Sequence, residues 1–141
     1  FSLGCAHAGG APNVEPEFLS SPEHRALGLP FSEAVRAGDT IYVSGQLGTR
    51  PGSPDIVEGD FATEARQALA NIRSILERNG SGMDRVVKCS IFLKDMADWP
   101  AFNEVYLEFF TGDPPARSAF GVSGLALGAR LELECIALAG R

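Results

Sequence analysis

The sequence predicts a single α+β domain with the element order β-β-α-β-α-β-β and both helices on one face of the sheet. Two segments carry apolar residues at helical spacing, and five shorter segments are rich in alternating or β-branched apolar residues. At 141 residues the chain has the size of one domain, and its 45% apolar content is sufficient for a core. Strands and helices in these numbers typically form two layers, which leaves the other face of the sheet for association between subunits.

Residues 1–28 are interpreted as an N-terminal arm ahead of a domain at residues 29–141. The stretch 11–29 is rich in Pro, Ser and Glu and shows no period, so it is expected to be extended. Near the start, Ala6-His7-Ala8 has the small-x-small form of a signal-peptidase site. A cytoplasmic protein with a flexible leader is expected, or an exported protein if residues 1–8 are the remnant of an export signal.

The domain is expected to open with a hairpin of strands at residues 31–37 and 40–46. Gly38-Asp39 suits a two-residue turn between them, and Gly45 indicates a bulge or a close approach of another group to the backbone. Residues 60–79 form the clearest helix, with Asp60 as its N-cap and Gly80 as its stop signal. A strand at 86–93 follows.

A second helix is expected at residues 98–110, with Asp98 as its cap and Pro100 in the first turn. Its apolar stripe is interpreted as core packing and contains Phe102, Val105, Tyr106, Phe109 and Phe110. Asn103 lies off the centre of this stripe, so it is free to reach a neighbouring surface. Strands at 116–122 and 130–139 complete the domain.

Composition and charge argue against several classes of function. The formal net charge of −6 repels phosphate backbones, which argues against a nucleic acid as partner. No apolar run reaches membrane-spanning length. The two histidines, His7 and His24, are far apart in the sequence, so neither a histidine-based metal site nor a histidine-driven triad is predicted.

The three cysteines are an odd number, which excludes a complete disulfide framework. Cys89 and Cys135 lie in apolar alternating runs, and they are interpreted as buried small hydrophobic residues.

Arg117 and Glu132 are the candidate catalytic residues. In Pro115-Ala116-Arg117-Ser118 an arginine enters an apolar strand, where a buried charge is costly unless it meets an anion. A guanidinium group can hold a carboxylate by two parallel hydrogen bonds. An arginine and a glutamate on neighbouring strands also commonly form a structural ion pair, and the residue pattern alone leaves both interpretations open.

The segments Pro115-Ala116-Arg117-Ser118, 124–128 and Leu131-Glu132-Leu133-Glu134 together resemble the C-terminal signature of the Rid family, the reactive intermediate deaminases, also called the YjgF family. The resemblance covers about residues 29–139. It implies a chorismate-mutase-like fold and a homotrimer around a central barrel, with ligand sites between subunits. It also implies hydrolysis of small 2-imino and enamino acids, such as 2-aminoacrylate, to 2-keto acids and ammonium, with no metal or cofactor.

By position, Arg117 resembles the carboxylate-binding arginine of the family, and Glu132 resembles the acid that positions or activates water. A glutamate in a partly apolar cleft has a raised pKa, which suits proton transfer near neutral pH. Glu134 points to the same strand face by period two, so the pattern does not decide between the two glutamates.

The resemblance also places six residues around the substrate: Phe31, Ser44, Gly45, Asn103, Ala119 and Phe120. Two of these depart from well-studied members, because Phe31 stands where they have a tyrosine and Ala119 where they often have a cysteine. A pocket lined by Phe31, Ala119 and Phe120 is expected to accept a larger apolar side chain better than a polar one.

The alternative function is a non-catalytic trimer that binds small carboxylates through Arg117, as a sensor or a chaperone-like module. Both functions require Arg117 for binding. Only the enzyme predicts that Glu132→Gln abolishes turnover while it leaves binding largely intact.

Overall fold

The computed structural model describes residues 13–140, which form one mixed sheet and three helices. The expectations for residues 1–8 therefore lie outside the described residues. The sheet order is β1-β2-β3-β6-β4-β5, with β4 and β5 parallel and the other neighbouring pairs antiparallel. The strands are β1 (Glu17–Leu19), β2 (Ala34–Ala37), β3 (Thr40–Gln46), β4 (Val86–Leu93), β5 (Ala116–Gly121) and β6 (Leu131–Leu138), and the helices are α1 (Pro22–Ala26), α2 (Phe61–Arg78) and α3 (Trp99–Phe109).

The predicted α+β class is confirmed, but the stretch expected to be an extended arm contains two additional elements. Strand β1 pairs with β2 through Phe18 and Val35, which makes the sheet six-stranded instead of five-stranded. Helix α1 begins after Ser21, whose hydroxyl accepts a hydrogen bond from the His24 N–H at 3.1 Å. Both elements are too short for a repeat of apolar residues to be recognised in the sequence.

Helix α2 agrees with the prediction within one residue at each end. The Asp60 carboxylate accepts hydrogen bonds from the Thr63 N–H at 2.9 Å and the Thr63 hydroxyl at 2.7 Å. Gly80, just beyond the helix, has a φ of 74°, a left-handed conformation that glycine adopts without strain. In α3, by contrast, Asp98 occupies the cap position but its side chain makes no capping hydrogen bond.

Helices α2 and α3 pack on one face of the sheet and enclose the core. The sheet residues that point toward them alternate along the strands with residues on the other face, as period two requires. This buried set includes Ile41, Val43, Cys89, Ile91, Leu133 and Cys135. The opposite face carries partly exposed apolar side chains, among them Phe18, Tyr42 and Phe120.

Cys89 and Cys135 are buried, as expected, but their interpretation as unbonded hydrophobic residues is wrong. They lie directly opposite each other on β4 and β6 and form a disulfide with a Cα–Cα separation of 4.1 Å. An odd cysteine count excludes complete pairing but leaves room for one bond. Which cysteines pair depends on the register between β4 and β6, and the sequence does not reveal that register.

Among residues 13–140, no helix is both long enough and apolar enough to span a bilayer.

Candidate functional site

Arg117 lies on the edge strand β5 and points to the helical side of the sheet. It is the register partner of Cys89 on β4, which is itself the partner of Cys135 on β6. Residues aligned across neighbouring strands point to the same face, so these three form one row beneath α3. Arg117 is half-buried in this position.

Three aromatic rings of α3 and its first turn surround the guanidinium group of Arg117. The Cζ atom lies 4.9 Å from the ring centroid of Tyr106 and 5.8 Å from those of Trp99 and Phe102, within the range of cation–π attraction. Within the described chain, none of the ion pairs includes Arg117. The rings hold the guanidinium in place and leave its hydrogen-bond donors available for an anion.

Two polar atoms of α3, the helix that contributes the Tyr106 ring to this arginine, are buried and have no hydrogen-bond partner among residues 13–140: the Asn103 Oδ1 and the Tyr106 hydroxyl. The two residues are neighbours on α3, three positions apart. Burial raises the pKa of Tyr106 to about 12, opposed by the positive charge of Arg117, so the hydroxyl stays a donor at physiological pH. Buried polar groups normally find partners, so a bound molecule or water is the expected complement.

Tyr106 and Trp99 were not among the predicted site residues. The sequence assigned Tyr106 to core packing, and its ring does pack against Phe102 at 5.5 Å and Phe110 at 4.4 Å. Its hydroxyl was the available signal, because a fully buried tyrosine requires a partner for that group. Ala119, which the sequence did assign to the site, lies two residues beyond Arg117 on the same face.

Glu132 points to the face of the sheet that the helices leave uncovered. It is the register partner of Phe92 on β4, and Phe92 is the partner of Phe120 on β5, with the two rings stacked 5.9 Å apart. Burial raises the pKa of Glu132 above its ordinary value, and the negative charge of Glu134 raises it further. Glu134 shares this face, as the alternation predicted, but it is exposed.

Gly45 lies against the Glu132 side chain. The β3–β6 register shifts between Val43 and Gln46, which confirms the bulge expected at Gly45. A Cβ atom at this position would clash with Glu132 Oε1 and would lie 2.9 Å from its Cδ. The glycine therefore permits a close approach that fixes the glutamate against the backbone of β3.

Ser44 and Phe31 line one groove on this same face. The Ser44 hydroxyl donates a hydrogen bond to the Ser32 carbonyl at 2.6 Å, and the Ser44 N–H donates one to the Glu33 carbonyl at 2.9 Å. These bonds tie the turn that carries Phe31 to β3. The Phe31 ring is about half exposed and contacts the His24 ring, with centroids 5.5 Å apart.

The structure thus divides the predicted residues between the two faces of one sheet. The arginine cluster consists of Asn103, Arg117 and Ala119, together with Trp99 and Tyr106. The glutamate cluster consists of Phe31, Ser44, Gly45, Phe120 and Glu132. Each cluster is assembled within the chain, but the sheet separates them, so they do not form one pocket in a single chain.

The donor set does not suggest a metal centre. Among residues 13–140, no group of three or more His, Cys, Asp and Glu side chains could hold a metal ion.

The chain matches the family model described as endoribonuclease L-PSP over residues 23–139. It is 45% identical to the 2-iminobutanoate/2-iminopropanoate deaminase of Bos taurus, over 88% of this chain and 90% of that protein. Among solved structures, RidA from the Antarctic bacterium Psychrobacter sp. PAMC 21119 is 37% identical with a TM-score of 0.75, over 78% of this chain and 89% of that one. TdcF of E. coli, solved with bound serine, is 30% identical with a TM-score of 0.75, over 79% and 90% of the two chains. The segments around Arg117 and Glu132, the sheet topology and these similarities agree, and the chain belongs to the Rid family, also known as the YjgF or L-PSP family.

Proposed function

We propose that this protein hydrolyses small 2-imino acids, and the enamines in equilibrium with them, to 2-keto acids and ammonium. The observation that carries the proposal is the 45% identity to a 2-iminobutanoate/2-iminopropanoate deaminase over most of both chains. The two clusters supply the groups that this chemistry requires, namely a cation for the substrate carboxylate and an acid–base group for water.

Arg117 is the proposed carboxylate-binding residue. Its guanidinium group is held by three rings and is not paired with any described carboxylate. A planar guanidinium binds a carboxylate through two parallel hydrogen bonds, which fixes the orientation of the imine carbon next to it. The unpartnered Tyr106 hydroxyl and the Asn103 Oδ1 on the same helix are the further polar groups that this proposal assigns to the arginine cluster.

Glu132 is the proposed acid–base residue. Its raised pKa brings the carboxyl group closer to neutral pH, where it both accepts and returns a proton. In the reaction, the water oxygen bonds to the imine carbon while the C=N π pair moves to nitrogen. The nitrogen then leaves as ammonia when the C=O bond forms, so both water protons end on nitrogen. Glu132 carries one of these protons from oxygen to nitrogen.

We propose that the complete site forms between two copies of the chain. The sheet separates the two clusters, so one small molecule reaches Arg117 of one copy and Glu132 of the next. Because the two contacting surfaces are different, the contact is heterologous, and a closed assembly built from such contacts is a ring. The half-exposed Tyr42 and Phe120 supply apolar area for it, and a homotrimer is the ring that the resemblance implies.

A subunit-mixing experiment tests this arrangement. The Arg117→Ala and Glu132→Gln proteins are each expected to be inactive, and their co-expression in equal amounts should restore activity. Random assembly gives about one quarter of the interfaces an intact arginine and an intact glutamate, so roughly a quarter of wild-type turnover is expected. If both residues instead served a site within one chain, the mixture would stay inactive.

The function itself is tested by a coupled assay. An amino-acid oxidase or a threonine dehydratase generates the imine, and its disappearance is followed with and without the protein. Wild type should accelerate the loss, and Arg117→Ala and Glu132→Gln should not. Binding without turnover in wild type would support the non-catalytic carboxylate-binding trimer instead.

The family model's description also names an endoribonuclease. The formal net charge of −6 weakens binding to a phosphate backbone, so the deaminase reaction is favoured.

The disulfide bears on the compartment. Disulfides form and persist in oxidising environments, so the Cys89–Cys135 bond favours the exported alternative over the cytoplasmic one. Alkylation of free thiols at the moment of cell lysis tests this proposal. If Cys89 and Cys135 are both protected from alkylation, the result supports an oxidising compartment. If both are alkylated, the cytoplasmic location is favoured instead.

A further inference from the structure

A groove on the glutamate side of the sheet is larger than a small imino acid requires. We call it the α1 groove. It has a volume of about 680 Å³ and is lined on one side by α1 and on the other by the Phe31 turn and β2–β3. Half of its ten lining residues are apolar, among them Phe18 and Phe31, and the polar half consists of Ser20, His24, Arg25, Ser32 and Ser44.

The charge of the α1 groove is opposite to that of the whole chain. The protein has a formal net charge of −6, yet the lining contains Arg25 and His24 and no carboxylate. Arg25 is exposed, and it takes no part in the ion pairs formed among residues 13–140. A cation, an imidazole and several hydroxyl groups around one groove favour an anionic or hydrogen-bond-accepting group as its occupant.

His24 has a hydrogen-bonding atom without a partner. Its Nε2 is buried and makes no hydrogen bond within the described part of the chain, whereas its backbone N–H caps α1 through Ser21. The ring is held against Phe31, at a centroid separation of 5.5 Å. The imidazole is therefore held beside the residue that stands in the family's tyrosine position.

The α1 groove lies next to the glutamate cluster along β3. Ser44 lines the groove, and the next residue, Gly45, lies against the Glu132 side chain. The groove is therefore the neighbouring space into which the side chain of a substrate held at Glu132 could extend. Within one chain Ala119 and Phe120 point to opposite faces of the sheet, so an apolar pocket lined by Phe31, Ala119 and Phe120 would need residues of two copies, whereas one chain forms the α1 groove by itself.

We propose that the α1 groove is the side-chain subsite of the enzyme and that Arg25 and His24 bind a second carboxylate, at the end of the side chain of a 2-imino dicarboxylic acid. The inference rests on the proposed function and adds its substrate class. The hydrolysis is unchanged, because the second carboxylate takes no part in bond making or breaking.

The test compares two imines with side chains of similar size, made in situ by oxidation of glutamate and of leucine. The quantity measured is the ratio of kcat/KM for the glutamate imine to that for the leucine imine. Wild type should give a ratio above one. In Arg25→Gln and in His24→Gln the ratio should fall by about five-fold or more, because a charge-assisted hydrogen bond is lost.

Arg50→Gln is the matched control, because Arg50 is an exposed arginine outside the α1 groove. It should leave the ratio unchanged. A wild-type ratio below one, or a fall smaller than five-fold in both groove variants, overturns the subsite.

A binding measurement separates failure of the subsite from failure of the proposed function. Titration calorimetry with 2-oxoglutarate and 4-methyl-2-oxopentanoate gives the same comparison without turnover. If no imine is hydrolysed but 2-oxoglutarate binds more tightly and loses this advantage in Arg25→Gln, the subsite stands and the deaminase does not. If both keto acids bind equally to wild type, the subsite is overturned whether or not imines are hydrolysed.

Discussion

The side chains of Arg117 and Glu132 project from opposite faces of the same sheet. Arg117 belongs to the row Cys135–Cys89–Arg117 beneath α3, and Glu132 belongs to the row Glu132–Phe92–Phe120 on the uncovered face. Within one chain the two residues therefore do not face one molecule. The proposed reaction requires two copies of the chain, and each cluster can be tested on its own.

Replacing Arg117 by lysine should weaken substrate binding more than it affects the fold. Lysine keeps the charge but loses the paired hydrogen bonds to the carboxylate, and each charge-assisted bond is worth about 1.5–3 kcal/mol. We expect kcat/KM to fall by on the order of 10- to 100-fold, mainly through KM, as measured by steady-state kinetics.

Arg73→Lys is the control for this prediction, because Arg73 also lies over an aromatic ring, that of Phe109 at 5.1 Å. If both variants lost activity equally, the loss at Arg117 would reflect packing and not substrate binding.

The pH dependence of turnover should depend on Glu134. The negative charge of Glu134 contributes to the raised pKa of Glu132, so Glu134→Gln lowers that pKa. If Glu132 must be ionised to take a proton from water, the acidic limb of the kcat/KM profile shifts to lower pH in this variant. Glu77→Gln, at an exposed position on α2, should leave the profile in place. A shift to higher pH in Glu134→Gln would contradict the assignment.

Glu132 should also lower the free energy of unfolding at neutral pH. The folded-state pKa of Glu132 is raised above 4.5, so the folded protein holds this proton more tightly than the unfolded chain does. Folding stability then falls as pH rises from 4.5 through the folded-state pKa. Glu132→Gln removes this penalty, and its melting temperature should exceed that of wild type by more at pH 8 than at pH 4. Equal differences at both pH values would show that the folded and unfolded pKa values are the same.

The Glu64–Arg130 pair should contribute more to stability than the other ion pairs. Glu64 is 2% exposed, and its carboxylate accepts hydrogen bonds from the Arg130 N–H at 2.8 Å and Nε at 2.6 Å. Glu64→Gln should cost about 3–5 kcal/mol in chemical denaturation, because it leaves a partly buried arginine without its anion. The bidentate Arg66–Glu108 pair is exposed and screened by solvent, so Glu108→Gln should have a much smaller effect on the same denaturation curve.

Gly45→Ala should reduce turnover with little effect on folding. The new methyl group would displace the Glu132 carboxylate from β3, so kcat should fall by about ten-fold or more while the protein still assembles. Gly124→Ala is the control, because nothing lies within 4 Å of the added Cβ there. Unchanged kcat in Gly45→Ala would mean that the glutamate acts from another position.

Much of the fold could be predicted because apolar residues recur at regular spacing along its main elements and recognisable residues mark where these elements begin and end. Helix α2 is an example, since its apolar stripe and Asp60 cap are local features. Strand β1 could not be predicted, because three residues are too few to show a period and their pairing with β2 is a tertiary contact. The same applies to the disulfide, whose partners are 46 residues apart.

The site residues could be selected from the sequence, but their arrangement could not. Alternation along one strand does separate Ala119 from Phe120, and this signal was available. The relation between Arg117 and Glu132 depends on the register of β5 with β4 and of β4 with β6, which no local pattern encodes. The helical stripe did place the Tyr106 ring in the core, but only the structure shows that its hydroxyl has no partner among the described residues.

The bond between Cys89 and Cys135 turns the segment between them into a covalent ring. This ring contains α3 and β5, and therefore every residue of the arginine cluster. Of the glutamate cluster it contains two residues, Phe120 and Glu132. A protease that cuts the exposed 111–114 connection would leave two fragments joined by the Cys89–Cys135 bond, and in denaturant these fragments would separate only after a reductant is added. The arginine cluster would thus keep a covalent tether to the sheet through a backbone break in an oxidising compartment, whereas in a reducing one only the sheet pairing and the core would hold the fragments together.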